Sequence, residues 1–379
     1  MEQTAKRILN RSSLSIPCHW DKEVMDRIVN IKAVNGIKVM EVYGVLAEGG
    51  PVGHGRSRNS VVNIEMDDAL KFRAYLKNLG LRFVYLLNAP FKFDGSAEQK
   101  KQLNSYLEWI LGSLRPDALT LTSHELMRYV RVLDKKIPLY ISTIAGIKSW
   151  KDLEEFLDIS PSRVIPHHDV GKDWKVFMKL SKFCKKEGVE IELMATESCL
   201  FRCSRRDAHY KYLSQGSRDV SFHVVCNSRK LIHPREFLLA GGVIRPEDVC
   251  IYEDAGVTCF KITGRSKPSN WLPEVVNAYQ NRGYNGNLIR LLGIDPSLCA
   301  ENWIYISNAA LNGFLGGFIN KKTRREMIRY SETWIAMLYN NGQFKLFDGS
   351  QYKQRNGSLV LSDDGGKQAK LIISRESEK

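Results

Sequence analysis

Eight short apolar runs, each followed by a stretch with helical periodicity, constrain this chain more than any other feature. The runs are Ser13–Pro17, Val39–Tyr43, Phe83–Leu87, Ala118–Leu121, Leu139–Ser142, Val164–Pro166, Glu190–Ala195 and Thr258–Thr263. Helical patterns between them include Asp21–Val34, with Asp21 as its N-cap, Asp67–Leu79, Ala97–Gly112, Trp150–Leu157 and Trp174–Gly188. Strands that alternate with helices pair in parallel. Eight such units predict an α/β chain folded as a closed (β/α)8 TIM-type barrel. An open doubly-wound sheet is the rival arrangement.

One interval breaks the rhythm. About 60 residues separate the seventh run from the eighth, where a βα loop needs roughly 2–6. Insertions at the carboxyl ends of barrel strands build active sites. This one, about 197–256, opens with Glu197-Ser198-Cys199-Leu200-Phe201-Arg202-Cys203, and Cys226 follows after 22 further residues. Three cysteines in one loop after a strand end suit a metal centre, because thiolates favour zinc and iron–sulfur clusters. Structural zinc usually takes four ligands and often two-residue spacers. The Cys-x3-Cys spacing here and the absence of any Cys-x-x-Cys tilt the choice toward a cluster. Buried, inert thiols are the ordinary alternative. Cys184, Cys250 and Cys259 read as core residues, and Cys299 has no partner in sequence. Cys18 follows the first strand on the same barrel face and is a candidate fourth ligand.

Past Tyr284 the pattern turns mostly helical, a C-terminal extension over 286–342. The tail 343–379 is polar and carries turn signals, consistent with a small hairpin or disorder. These divisions give a barrel over 1–285 that includes the insertion. No apolar run reaches the roughly 18 residues of a membrane helix, and Met1–Asn10 lacks a signal-peptide core. A cytoplasmic protein with reduced thiols is the expectation, with no membrane partner. The net charge of +14 raises the prospect of an anionic partner, either a small molecule or RNA. The basic clusters Lys100–Lys101, Lys135–Lys136, Lys185–Lys186 and Lys321–Arg325 are scattered, as on a solvated surface. The glycines of Gly49–Gly55 lack the Gly-Lys-Ser/Thr of a phosphate loop.

Several segments resemble peptidase family U32. They are Glu41-Val42-Tyr43-Gly44, Gly53-His54-Gly55-Arg56, Leu86-Leu87-Asn88-Ala89, Ser142-Thr143, the Glu197–Cys203 segment with Arg206 and His209, and Ala255-Gly256-Val257-Thr258-Cys259-Phe260-Lys261-Ile262-Thr263-Gly264-Arg265. The resemblance spans about residues 12–290. It implies a barrel, and either proteolysis, for which the family is named, or the chemistry of its iron–sulfur members. Those members hydroxylate rings or RNA bases without molecular oxygen. The resemblance therefore implies a 4Fe–4S cluster, prephenate as an oxygen donor in some members, and a hetero-oligomeric partner of the same family. Four cysteines hold the cluster in those members. This chain offers Cys199, Cys203 and Cys226 and no certain fourth.

Other residues fall where barrel enzymes do chemistry. Arg56 and Arg265 follow the second and eighth strands and could grip a carboxylate or make rim ion pairs. Lys261 lies in the last strand, pointing into the barrel or salt-bridged to Glu41 or Glu197. Asn88 could orient substrate or form a turn, and Tyr43 could face substrate or pack. Glu197 suits acid/base work or loop capping. Arg206 and His209 share a helix face one turn apart, Arg206 toward a carboxylate or cluster and His209 toward metal, proton transfer or packing. Of His167–His168, one can face the site. No His-Glu-x-x-His motif or nucleophile signature supports proteolysis. A third reading is a non-catalytic RNA-binding or partner subunit.

Overall fold

The computed structural model describes residues 12–33, 36–47, 50–56, 61–215, 221–293, 304–346, 352–355 and 358–361. Cys299 and residues 362–379 lie outside them.

Strands β1 (Ser13–Pro17), β2 (Lys38–Gly44), β3 (Arg82–Leu87), β4 (Ala118–Leu121), β5 (Leu139–Ile141), β6 (Arg163–Val164) and β7 (Glu190–Met194) run in order around a barrel. The inserted strands β8 (Thr196–Glu197) and β9 (Gly242–Val243) come next, and β10 (Cys259–Lys261) closes the barrel between β7 and β1. Every barrel pairing is parallel, with Leu14 beside Phe260 and Phe260 beside Leu193. The sheet is closed, so the open-sheet rival is excluded.

Local chemistry explains the helices. Asp21 caps the first, Lys22–Val29, by accepting from the Val24 amide at 3.1 Å, and Val24, Met25 and Ile28 are its buried face. Trp174–Glu187 starts at Asp173, buries Phe177, Leu180 and Cys184 at helical spacing, and ends at Gly188 with φ of 69°. Each such buried apolar side chain contributes about 2 kcal/mol. These faces and the outer faces of the strands make the main core.

The barrel interior is unusually charged. Arg163, wholly buried, donates to Glu41 (2.6 Å), Glu190 (2.7 Å) and Glu192 (2.9 Å). Its guanidinium also lies 4.3 Å from the centre of the Tyr140 ring. Lys261 pairs with the other Glu192 oxygen at 2.7 Å. The partner of Lys261 is thus Glu192, not Glu41 or Glu197.

The insertion and the C-terminal extension share a second core. Phe201, Leu231, Phe237 and Val243 pack with Leu288, Ile304, Phe318, Leu338 and Phe344. The extension is not purely helical: Ile304–Ile306 pairs antiparallel with Phe344–Leu346, flanking the long helix Arg324–Asn340. Tyr352–Arg355 and Ser358–Leu361 form a hairpin in the tail. Cys250 is exposed, against the expectation of a core residue. Val249 and Tyr252 face inward on its short helix, which turns Cys250 to the opposite side.

Candidate functional site

The carboxyl ends of the strands and the start of the insertion surround a cavity of about 60 Å³, lined by Tyr43, Arg56, Asn88, Glu197, Tyr210, Lys261 and Arg265 among others. That is room for about four waters or the head of a small organic acid. Six of the seven are residues the sequence singled out; Tyr210 is the one it missed. No motif marks a tyrosine, although its place one residue after His209 was a usable signal.

Asn88 is fixed at the end of β3. Its Oδ1 accepts from the Gly55 amide (3.3 Å), and its Nδ2 donates to Ser142 Oγ (3.3 Å). This ties the Arg56 loop to the barrel. Arg56 Nη2 then meets Glu197 Oε2 at 2.9 Å. Burial alone would raise the Glu197 carboxyl, but Arg56, with help from His168, outweighs it and brings the pKa down to about 2. Glu197 therefore stands as a carboxylate. Its second oxygen accepts from Cys199 Sγ at 3.5 Å.

Tyr43 donates to the Ile262 carbonyl at 2.8 Å, and the Lys261 ammonium lies 3.9 Å from the centre of its ring. Tyr43 is thus held as a wall. Arg265 is different. It is 7% exposed and its Nη1 has no hydrogen-bond partner among the described residues. Burial lowers its pKa to about 10, with Arg56 also lowering it, so the cation persists at neutral pH. A buried cation with an unmet donor at a cavity wall calls for an anion.

The three insertion cysteines are partly exposed, while Cys18, Cys184 and Cys259 are buried. Cys199 and Cys203 bracket a tight turn in which Arg202 adopts φ of 52° and donates its amide to Asp169 at 2.9 Å. Cys226 lies on the helix Ser221–Ile232 and feels the charge of Cys203. The buried Lys230, one turn further on, feels both Cys199 and Cys226, and its ammonium donates to Ser198 Oγ at 2.9 Å. Burial followed by the nearby Glu197 carboxylate holds the Cys199 thiol up, and burial raises Cys226.

A zinc ion draws its sulfurs to about 2.3 Å each, hence to within about 4 Å of one another. Among the described residues, one set of three His, Cys, Asp or Glu ligand atoms lies within 4.8 Å, and it is Glu41, Glu192 and Cys259. Arg163 and Lys261 already hold those carboxylates, so that set is an ion-pair network rather than a metal site. Cys199, Cys203 and Cys226 do not make up such a set. A four-iron cluster spans more than one ion, and three thiols with Lys230, Arg206 and Arg56 nearby have the donor chemistry and counter-charge that such a group requires. Cys18 does not join them: it is buried in the main core, where a side chain on Gly44 would strike its Cβ and the Phe83 ring.

Arg206 is a strap. It donates to the Leu200 carbonyl (2.5 Å) and Asp169 (3.3 Å), and lies 3.0 Å from His167 Nε2, binding the cysteine turn to the end of β6. Its two terminal nitrogens are spent on these partners rather than turned to the cavity, and its buried Nε has no hydrogen-bond partner among the described residues. His209, one turn along, stacks on Phe222 at 4.8 Å. Burial, then Arg206, lowers His167 to about 4. Gly241 lets the insertion return: a Cβ there would lie 1.8 Å from the His168 carbonyl oxygen. On the outer side of the turn a cleft of about 380 Å³ opens between Lys148, Asp169, Asp173, Arg202 and Cys203.

Comparisons with known proteins agree with the resemblance in sequence. The profile of peptidase family U32 matches residues 49–285. An uncharacterized protease of Methanocaldococcus jannaschii is 26% identical over 319 residues, covering 79% of this chain and 90% of that protein. Among solved structures, a U32 peptidase shares 12% identity with a TM-score of 0.48, over 67% of this chain and 94% of the other. A putative copper homeostasis protein, CutC, of Streptococcus agalactiae shares 13% identity with a TM-score of 0.36, over 55% of this chain and 96% of the other. No helix among the described residues is long and apolar enough to cross a membrane.

Proposed function

This chain belongs to peptidase family U32, and on that premise we propose that it is an iron–sulfur enzyme acting on an anionic substrate at the mouth of its barrel. The observation that carries the reading is that Cys199 and Cys226 lie about Lys230, with Cys203 near Cys226, next to a cavity walled by Arg265, whose Nη1 has no hydrogen-bond partner among the described residues. Cys199, Cys203 and Cys226 would hold the cluster, which when bound supplies redox or Lewis-acid chemistry. Oxygen-independent hydroxylation is the reaction class that the resemblance to the family's iron–sulfur members supports.

The residues of the chain divide the remaining work. Arg265 binds a carboxylate. Lys261, pinned by Glu192 and laid over Tyr43, keeps a second positive charge in the floor. Asn88 sets the Arg56 loop, and Arg56 holds Glu197 as a carboxylate between the cavity and Cys199. There Glu197 accepts the hydrogen of the Cys199 thiol and stands as a fixed negative charge at the cavity edge. Arg206 keeps the turn closed over the site.

Hydrolysis is the second reading. The M. jannaschii relative is called a protease, and Ser198 Oγ lies 2.9 Å from Lys230 Nζ, a spacing that suits a nucleophile and its base once the amine, whose pKa burial lowers, is neutral.

Protein purified without air decides between them. A broad absorption near roughly 400 nm with stoichiometric iron and sulfide, lost in a Cys199→Ala, Cys203→Ala variant, supports the first. Colourless protein that stays free of iron after anaerobic reconstitution, yet cleaves peptides in a manner abolished by Ser198→Ala, supports the second.

A further inference from the structure

Tyr210 and His168 meet at the cavity wall. Tyr210, on the helix Arg206–Ser214, is buried and lines the cavity with Glu197 and Arg56. Its hydroxyl hydrogen-bonds His168 Nε2, and the planes of the two rings are nearly parallel, 14° apart. His168 follows β6 and is 3% exposed. Burial, and then Arg206, keeps its imidazole neutral, so the ring carries one N–H.

Where that hydrogen sits decides what the cavity sees. His168 Nδ1 is buried and has no hydrogen-bond partner among the described residues. A hydrogen on Nδ1 would be an orphaned buried donor, the kind of group folded proteins tolerate least. Tyr210 would then spend its own hydrogen on Nε2. With the hydrogen on Nε2, the imidazole donates to the phenol oxygen and Nδ1 keeps only a bare lone pair. The hydroxyl hydrogen of Tyr210 is then released toward the cavity.

We propose that Tyr210 is a substrate-contacting hydrogen-bond donor of this cavity, held in that role by the Nε2–H tautomer of His168. The inference rests on the reading of the cavity as a carboxylate site. It deepens that reading by adding, beside Arg265, a neutral donor for a second, uncharged oxygen of the ligand. His168 is a positioning residue: it reaches the ligand only through Tyr210.

Two measurements test this on the full-length protein prepared without air. The first is long-range proton–nitrogen correlation of histidine labelled with nitrogen-15, with His168 assigned by its loss in His168→Gln. A neutral ring protonated on Nε2 is expected, and protonation on Nδ1 overturns the proposal. The second is binding of acetate and glycolate, acids small enough for the cavity. Glycolate, with the extra oxygen, should bind roughly two- to tenfold more tightly, the worth of one neutral hydrogen bond. Tyr210→Phe should erase that preference and leave acetate unchanged. His168→Gln, whose amide N–H can stand in for Nε2–H, should keep it, and His168→Leu should lose it. A preference that survives in Tyr210→Phe overturns the role of Tyr210 while leaving the carboxylate site intact. If Arg265→Gln binds both acids like the wild type, or neither acid binds, the carboxylate reading falls, and the tautomer signal alone then decides whether Tyr210 is a donor.

Discussion

Arg56 and Glu197 face each other at 2.9 Å across the cavity mouth, joining the loop after β2 to the first residues of the insertion. The pair sets the charge beside Cys199 and closes the barrel's open end with one charge-assisted bond. Its pH signature follows from Glu197. The carboxyl titrates near 2 in the folded protein and near about 4.3 unfolded. Its stabilisation is therefore complete above about pH 4.3 and is lost as the pH falls toward 2. It amounts to on the order of 2 kcal/mol after allowance for solvent at the rim. Urea midpoints at pH 7 and pH 3 should differ less in Glu197→Gln than in the wild type. An equal difference would mean that the pair carries no such linkage.

Arg163 is the one cation among the described residues that touches Glu41, Glu190 and Glu192 together. Replacing it with methionine leaves Glu41 and Glu192 facing each other inside the barrel. We expect a loss of about 4 kcal/mol, read from chemical denaturation, or failure to accumulate as soluble protein. Arg82 also reaches Glu41, at 3.0 Å, but from an exposed position, and Arg82→Met should cost under about 1 kcal/mol.

Gly241→Ala should be among the most damaging single-methyl changes. The added carbon would meet backbone, the His168 carbonyl oxygen at 1.8 Å, and backbone cannot swing aside. A cost of about 3 kcal/mol is expected, together with a change in the His168 nitrogen signals. Gly95→Ala has no atom within 4 Å to strike and should show only the penalty of its positive φ, about 1 kcal/mol.

Arg202 holds a left-handed backbone between two cysteines, with φ of 52°. Glycine tolerates that conformation, and a β-branched residue does not. Arg202→Gly should keep wild-type iron after anaerobic reconstitution. Arg202→Val should open the turn, lose iron and cost about 2 kcal/mol. Equal iron in both variants would show that the turn does not position the cysteines.

The barrel was legible because its signals are local. Apolar runs of strand length mark β1 to β7 and β10, Asp21 starts a helix, and the 60-residue gap placed the insertion after β7. Cys250 was misjudged because the inward side of a six-residue helix depends on which neighbours it meets. The second core was not legible either. Phe201 and Phe344 touch the same cluster from far apart in sequence, and no periodicity reports on such a meeting.

For the site, the sequence determined the inventory: three non-core cysteines at the insertion, arginines and a lysine at strand ends, and Glu197 beside them. Only the tertiary structure decided how those groups are spent. It turned Arg206 into a strap, paired Lys261 with Glu192, left Arg265 without a partner on Nη1, and set Tyr210 against His168. The physical reason is that residue type and period follow from neighbours along the chain, whereas charge pairing and desolvation depend on distances between strands that close only when the barrel does.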